Sequence, residues 1–272
     1  MATQVITFHK MLSGCVQGEF RCWQFFISRY GSLAQHLIKQ HFGALGDRWS
    51  QLTQLVFDSI LKNGSSFLRE FPGSSEPEFL LYFEQRVFAV ARDHSGSEAP
   101  AADVDFELLK TLFDKMPLVH QEVAWLAMQT FQQEETSKIL RVPLALVQTA
   151  EVEVLRKWSK IRDREISNMP FLHDQVRQQI ESQKSPNCPA IKVFSDLMDG
   201  RIVWREKQQV EGHISECLCC LDQETKLKET LFYLHALDPL PTESVERLLK
   251  SLKVEPRPSK ATLLAKVIRV FK

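Results

Sequence analysis

The sequence predicts an all-α protein. Apolar residues recur at three- and four-residue intervals through most of the chain, as in WQFFISRYGSLAQHLIKQHFG and LTQLVFDSIL, the spacing that lines one face of a helix. Interruptions between these stretches fall at Gly, Pro and Ser, which punctuate helices. With 272 residues, 44% hydrophobic and 25% charged, the chain can bury ordinary cores and divide into about two or three domains.

From Phe20 to Ala91 the pattern predicts one helical domain, assigned residues 1–93, with breaks at Gly43, Gly64, Pro72 and Pro77. Residues 94–105 follow, where HSGSEAPAADV has no apolar period and the composition of a flexible connector. A second helical block takes 106–166. Within it Thr136 to Leu140 gives a first helix, Arg141 to Leu144 a turn and Ala145 to Trp158 a second helix, the spacing of a helix-turn-helix. The polar stretch QQIESQKSPNCP, with two prolines, marks 167–187 as another connector. A small module at 188–234 holds IKVFSDLMDG, and beyond Cys220 a helix is expected to continue through LKETLFYLHAL. The remainder, 235–272, reads as a helical tail whose last segment, KATLLAKVIRVFK, is basic and amphipathic and is expected to dock on the preceding domains.

Lys plus Arg and Asp plus Glu each total 34, so no overall basic excess announces a nucleic-acid partner and any DNA contact must come from local patches. No run of about 18 apolar residues occurs, and MATQVITFHKMLSGC lacks the basic start and apolar core of a secretion signal, which predicts a cytoplasmic protein without a transmembrane segment. The ten glycines are scattered singly and build no phosphate-cradling loop, and no Ser, His and acid set stands out, so neither an enzyme nor a small-molecule substrate is expected.

Of six cysteines, Cys188, Cys217, Cys219 and Cys220 sit in the C-terminal third, and in a reducing compartment such clustering suggests a metal. His213 and Cys217 are four apart on one helix face, and Cys217 with Cys220 forms a CxxC pair able to converge on one ion. Cys188 supplies the fourth donor. The expectation is a structural Zn2+ held by Cys188, His213, Cys217 and Cys220; the alternative is that these are packed thiols, since free cysteine behaves as a small hydrophobe. Cys219 is expected to pack, with a redox or second-metal role as its rival.

The segment CPAIKVFSDLMDGRIVWREKQQVEGHISECLCC resembles the zinc-binding anti-sigma domain, with its early ligand, DG turn, helix and HxxxCxxC, from Cys188 to about Leu231. CWQFFISRYGSLAQHLIKQHFG with SQLTQLVFDSIL resembles region 2 of extracytoplasmic-function sigma factors, with Gln54 and Phe57 in matching places. FLREFPGSSEPEFLLYFEQRVFAVARDH resembles that family's promoter-melting helix through Phe79, Tyr82 and Asp93. Met116 to Trp158 resembles region 4, through MPLVHQEVAWLAM and its Glu122 and Val123.

The resemblance implies a sigma-like regulator of transcription initiation that binds bacterial core RNA polymerase, through Gln54 and Phe57, and promoter DNA. For DNA it implies Arg86, Arg92, Arg141, Gln148, Thr149, Arg156 and Lys157. It further implies an intramolecular clamp, or a partner protein, engaged by the zinc module. The sequence departs from the family at Gln148, Ala150, Glu151 and Glu153, where basic residues are usual, and carboxylates facing phosphates oppose binding. A sigma-derived adaptor that no longer reads promoters is therefore a second expectation, and a pair of helical bundles with no nucleic-acid role a third.

Overall fold

The computed structural model describes residues 6–43, 48–95 and 104–254, and within these the protein is all-helical, with thirteen α-helices and no strand. The terminal segment KATLLAKVIRVFK and most of the expected 94–105 connector lie outside the described residues. Among the described residues no helix is long and apolar enough to cross a membrane.

Helices α1 (Phe8–Val16), α2 (Phe20–His41), α3 (Trp49–Arg69) and α4 (Glu76–Ser95) pack around an aromatic core. Phe26 meets Phe57 edge-on with ring centres 5.7 Å apart, and Tyr30 meets Phe79 at 5.4 Å, the T-shaped geometry that ring quadrupoles favour. Polar tips in this core find partners: Trp23 Nε1 donates to the Cys15 carbonyl at 2.9 Å and the Tyr30 hydroxyl to Glu76 at 2.8 Å. The break expected at Gly64 is not a helix end, because α3 runs through it. One helical glycine costs about 1 kcal/mol, which the packing of α3 outweighs, although the neighbouring Ser65 takes a left-handed φ of 63°. Pro77 stands in the first turn of α4, where no intrahelical N–H is needed.

The second block comprises α5 (Phe106–Phe113), α6 (Leu118–Ala127), α7 (Gln133–Leu140) and α8 (Leu144–Arg162). Asp105 caps α5 by accepting from the Leu108 N–H at 2.8 Å, and Gln132 with Glu135 forms a capping box on α7. The turn between α7 and α8 passes through Arg141 at φ 56°, and Pro143 then leads into α8.

Residues read as the 167–187 connector carry α9 (Asp174–Ser182), whose Val176 and Ile180 are buried. Its polar face concealed it: two apolar positions in nine residues are a thin stripe. α10 (Ile191–Met198) ends at Asp199, and Gly200, at φ 66°, supplies the left-handed residue that closes the turn back on Leu197 and Asp196. α11 (Trp204–Glu216), α12 (Leu218–Ala236) and α13 (Thr242–Ser251) complete the described chain.

Packing crosses the stretches into which the sequence divides the chain. One apolar cluster joins α1–α4 with Val123, Leu126, Ile139 and Val147 of the second block and with Tyr233 and Val245. The other joins Leu81 of α4 with Leu109, Trp125 and Trp158 and with Phe194, Ile214, Cys219 and Leu221 of the metal module. α13 lies against α2, where the Leu240 N–H donates to the Ser28 carbonyl at 2.9 Å; a Cβ at Gly31 would stand 2.4 Å from Leu240 Cδ1, so a larger residue there would have to displace the Leu240 side chain.

Candidate metal centre

α11 and α12 meet at Cys217, whose φ of −120° and ψ of 104° end the first helix and start the second. His213 sits one turn earlier on α11 and Cys220 in the first turn of α12, so the kink folds both toward Cys217. Cys188 arrives from the turn before α10. The donor atoms of Cys188, His213, Cys217 and Cys220 all lie within 4.8 Å of one another, which is a group that could hold a metal ion.

Cys188 Sγ and Cys217 Sγ are 3.9 Å apart, and His213 Nε2 and Cys220 Sγ 3.1 Å. A tetrahedral ion with sulfur bonds of about 2.3 Å holds its sulfurs about 3.8 Å apart, so the sulfur spacing fits that geometry. One thiolate is favoured here, at Cys217. Cys217, accepting a hydrogen bond from the Cys220 thiol at the head of α12, is drawn down to about 5, while Cys220, as the donor, is pushed well up. The pair thus holds one proton between them, which metal binding displaces. The Ser185 N–H lies 3.4 Å from Cys188 Sγ, an outer hydrogen bond that orients the ligand. Three sulfurs and an imidazole form a closed set suited to a structural ion. Cys219 stands outside it, buried in the module core and raised to about 12 by burial, and is therefore a packed thiol.

Sequence reasoning missed the groups that tie this centre to the rest of the fold. No residue from Leu218 to Leu234 is exposed, although the stretch includes Asp222, Glu224, Lys226, Lys228 and Glu229. Gln121 of α6 donates through Nε2 to the Ser215 carbonyl at 3.1 Å, and Trp125 Nε1 donates to Asp222 at 3.3 Å. Lys226 pairs with Asp222 at 2.6 Å and with Glu181 of α9. Arg177 of α9, 3% exposed, reaches Asp222 at 3.4 Å and Glu84 of α4 at 3.6 Å, and its Nη1 lies 3.0 Å from His41 Nδ1. His41 Nε2 in turn meets Glu229 at 2.8 Å. Farther along, Tyr233 stacks on His36 of α2 with ring centres 3.5 Å apart and donates to Glu135 of α7 at 3.1 Å. The i, i+4 pairs Asp222–Lys226 and Glu224–Lys228 are legible in sequence, but charges all around a helix ordinarily mean a solvated one.

The residues expected to contact polymerase and DNA divide by location. Phe57 is 0% exposed, inside the aromatic core, and Gln54 is half-buried beside it on α3. Phe79 is likewise core, and Tyr82 stacks on Phe67 at 4.3 Å. Arg86 lies over the Phe67 ring at 5.1 Å, while Arg92 forms a two-pronged pair with Asp174 of α9 at 2.6 and 2.7 Å. On α8, Gln148, Thr149 and Arg156 are exposed on one face, beside Val152 at 66% exposure, with Arg141 exposed in the preceding turn. Lys157 is half-buried and donates to the Asp114 carbonyl. The two α8 carboxylates have partners inside the block, Glu151 with Gln133 and Glu153 with His120.

No protein-family profile matches the chain, and no curated protein or solved structure is significantly similar to it.

Proposed function

We propose that the protein is a sigma-like regulator of transcription initiation whose C-terminal metal module restrains it in cis, with Zn2+ as a structural ion held by Cys188, His213, Cys217 and Cys220. The observation that carries this reading is α12. It starts at the metal centre, and its Leu218–Leu234 stretch carries no exposed residue and packs against α2, α4, α6, α7 and α9. An ion that fixes its first turn fixes both helical blocks against each other. The face of α4 bearing Leu81, Glu84, Phe88 and Arg92 is covered by α9, α10 and α12, so the helix matched to promoter melting is the one the module occupies. In this reading core RNA polymerase and promoter DNA are the partners, reached when the module lets go, and no bound substrate is turned over.

A second reading, an adaptor that binds polymerase or another protein but no longer reads promoters, is favoured by the open face of α8. That face carries an exposed valine, with Arg141, Arg156 and Lys160 as exposed cations along it, and few phosphates can be neutralised there. The two readings separate in the salt dependence of duplex-DNA binding by the metal-loaded chain and by Asp174→Ala, which removes the carboxylate paired with Arg92. A promoter reader gains affinity on that substitution and loses it steeply with salt; affinity that is absent or flat with salt in both proteins makes the adaptor the correct reading.

A further inference from the structure

An open groove of about 310 Å³ lies where the second block meets the metal module. Leu118 of α6 and Leu197 and Met198 of α10 give it an apolar side. Its buried end is charged and unbalanced. Glu122 of α6 and Glu224 of α12 share the single ammonium of Lys228, which contacts Glu224 Oε1 at 2.9 Å and also reaches Glu122. Glu224 Oε2 finds no hydrogen-bond donor among the described residues, although the side chain is 3% exposed. Burial, the adjacent Glu224 charge and a hydrogen bond between the two carboxyls push Glu122 up to about 7 in spite of Lys228, so the two acids compete for one ammonium and one proton. At the rim Lys207 and Glu211 of α11 pair with each other at 3.6 Å and so do not relieve it. A buried carboxylate oxygen without a donor calls for one.

The same wall continues outward. Trp204, Lys207 and Glu211 fall at i, i+3 and i+7 on α11 and share one face, and Trp204 is 72% exposed next to Val203 at 70%. Exposed tryptophan beside a mixed groove marks a contact surface, and this apolar extension is larger than a free amine could use.

We propose that the groove between α6, α10, α11 and α12 binds a lysine or arginine side chain carried on an apolar segment of a partner protein. The cationic head donates to the free oxygen of Glu224, the stem lies along Leu118, Leu197 and Met198, and the flanking apolar residues cover Trp204. Arginine fits better than lysine, because its several donors can serve Glu224 and Glu122 together. Nothing here depends on the sigma-like reading, and a chain that fails to bind polymerase leaves it standing.

Calorimetry on the metal-loaded full chain tests it with three probes: N-acetyl-Leu-Arg-Leu-amide, the same peptide with neutral citrulline for arginine, and agmatine. The arginine peptide is expected to bind about tenfold or more tightly than the other two. Glu224→Gln should abolish the preference for arginine over citrulline, and Trp204→Ala should weaken the peptide several-fold while leaving agmatine unchanged. Equal binding of the arginine and citrulline peptides, no binding of either, or a preference that survives Glu224→Gln overturns the proposal. Agmatine binding as tightly as the peptide also overturns it, by making the groove a site for small amines. If Glu224→Gln fails to fold, Trp204→Ala decides, because its side chain is exposed: undiminished peptide binding then counts against the groove.

Discussion

The two helices that the sigma resemblance matches to promoter contact, α4 and α8, meet opposite fates. α4 is enclosed: Phe79, Phe83 and Val87 face the first core, and Leu81, Glu84, Phe88 and Arg92 face α9 and α12. α8 keeps its Gln148, Thr149, Val152 and Arg156 face open to solvent. The module therefore packs against α4 of the first block and against α6 and α7 of the second, and leaves this face of α8 open. In the proposed restraint, masking would come from packing against α4 rather than from blocking a DNA groove reader.

How the mask is attached can be broken in steps of decreasing size. Chelation, or Cys217→Ser, would remove the ion proposed to fix the start of α12, and structural zinc typically contributes on the order of 10 kcal/mol to the fold that holds it. The expected outcome is loss of helical signal and rapid proteolysis near residues 183–217, with restoration when zinc is returned. Arg177→Ala comes next. It leaves the ionised Asp222 short of a buried cation, and the cost should be about 3–5 kcal/mol in urea unfolding, because breaking a buried pair strands its partner.

The third step is a pH dependence. Burial holds the Glu84 carboxyl up to about 8 and Glu229 up to about 7, against an ordinary value of 4.5. Each binds its proton more tightly folded than unfolded, so its contribution is full below about 4.5 and is lost as pH rises to its folded value. His41 works in the opposite sense: burial lowers it well below 6.5, so its cost grows as pH falls. Glu84 and Glu229 therefore pull the unfolding free energy down as pH rises between about 6.5 and 8, against the rise from Cys217, whose folded value of about 5 lies below the ordinary 9, and Glu84→Gln should make the net slope more positive by removing much of that pull. An unchanged slope in Glu84→Gln would mean that Glu84 is already ionised in the fold. The smallest effect is expected on α8, where Val152→Ser should change stability by no more than about 0.5 kcal/mol, since the side chain packs on little. A larger loss would show that the open face is covered.

The all-helical fold and the four-donor cluster were legible because both rest on local spacing. Helical periodicity marked α2 and α3, and HxxxCxxC put three donors around a single kink, needing just one turn from elsewhere to add Cys188. The 133–162 stretch was legible for the same reason, since a polar capping box, a turn and a proline bound α7 and α8. What stayed hidden is long-range. α12 reads as a solvated helix because its charges go all the way around, and their partners Glu84, Trp125, Arg177 and His41 lie on four other helices. The groove at Glu224 was hidden likewise, since one orphaned oxygen is a property of packing.

The most direct test of restraint in cis is the affinity of the full chain for bacterial core RNA polymerase with the metal centre loaded and after mild chelation. Weak binding in the loaded protein that strengthens about tenfold or more on metal removal, and reverses when zinc is restored, is the result predicted. Binding that is unchanged or weaker after chelation would contradict it.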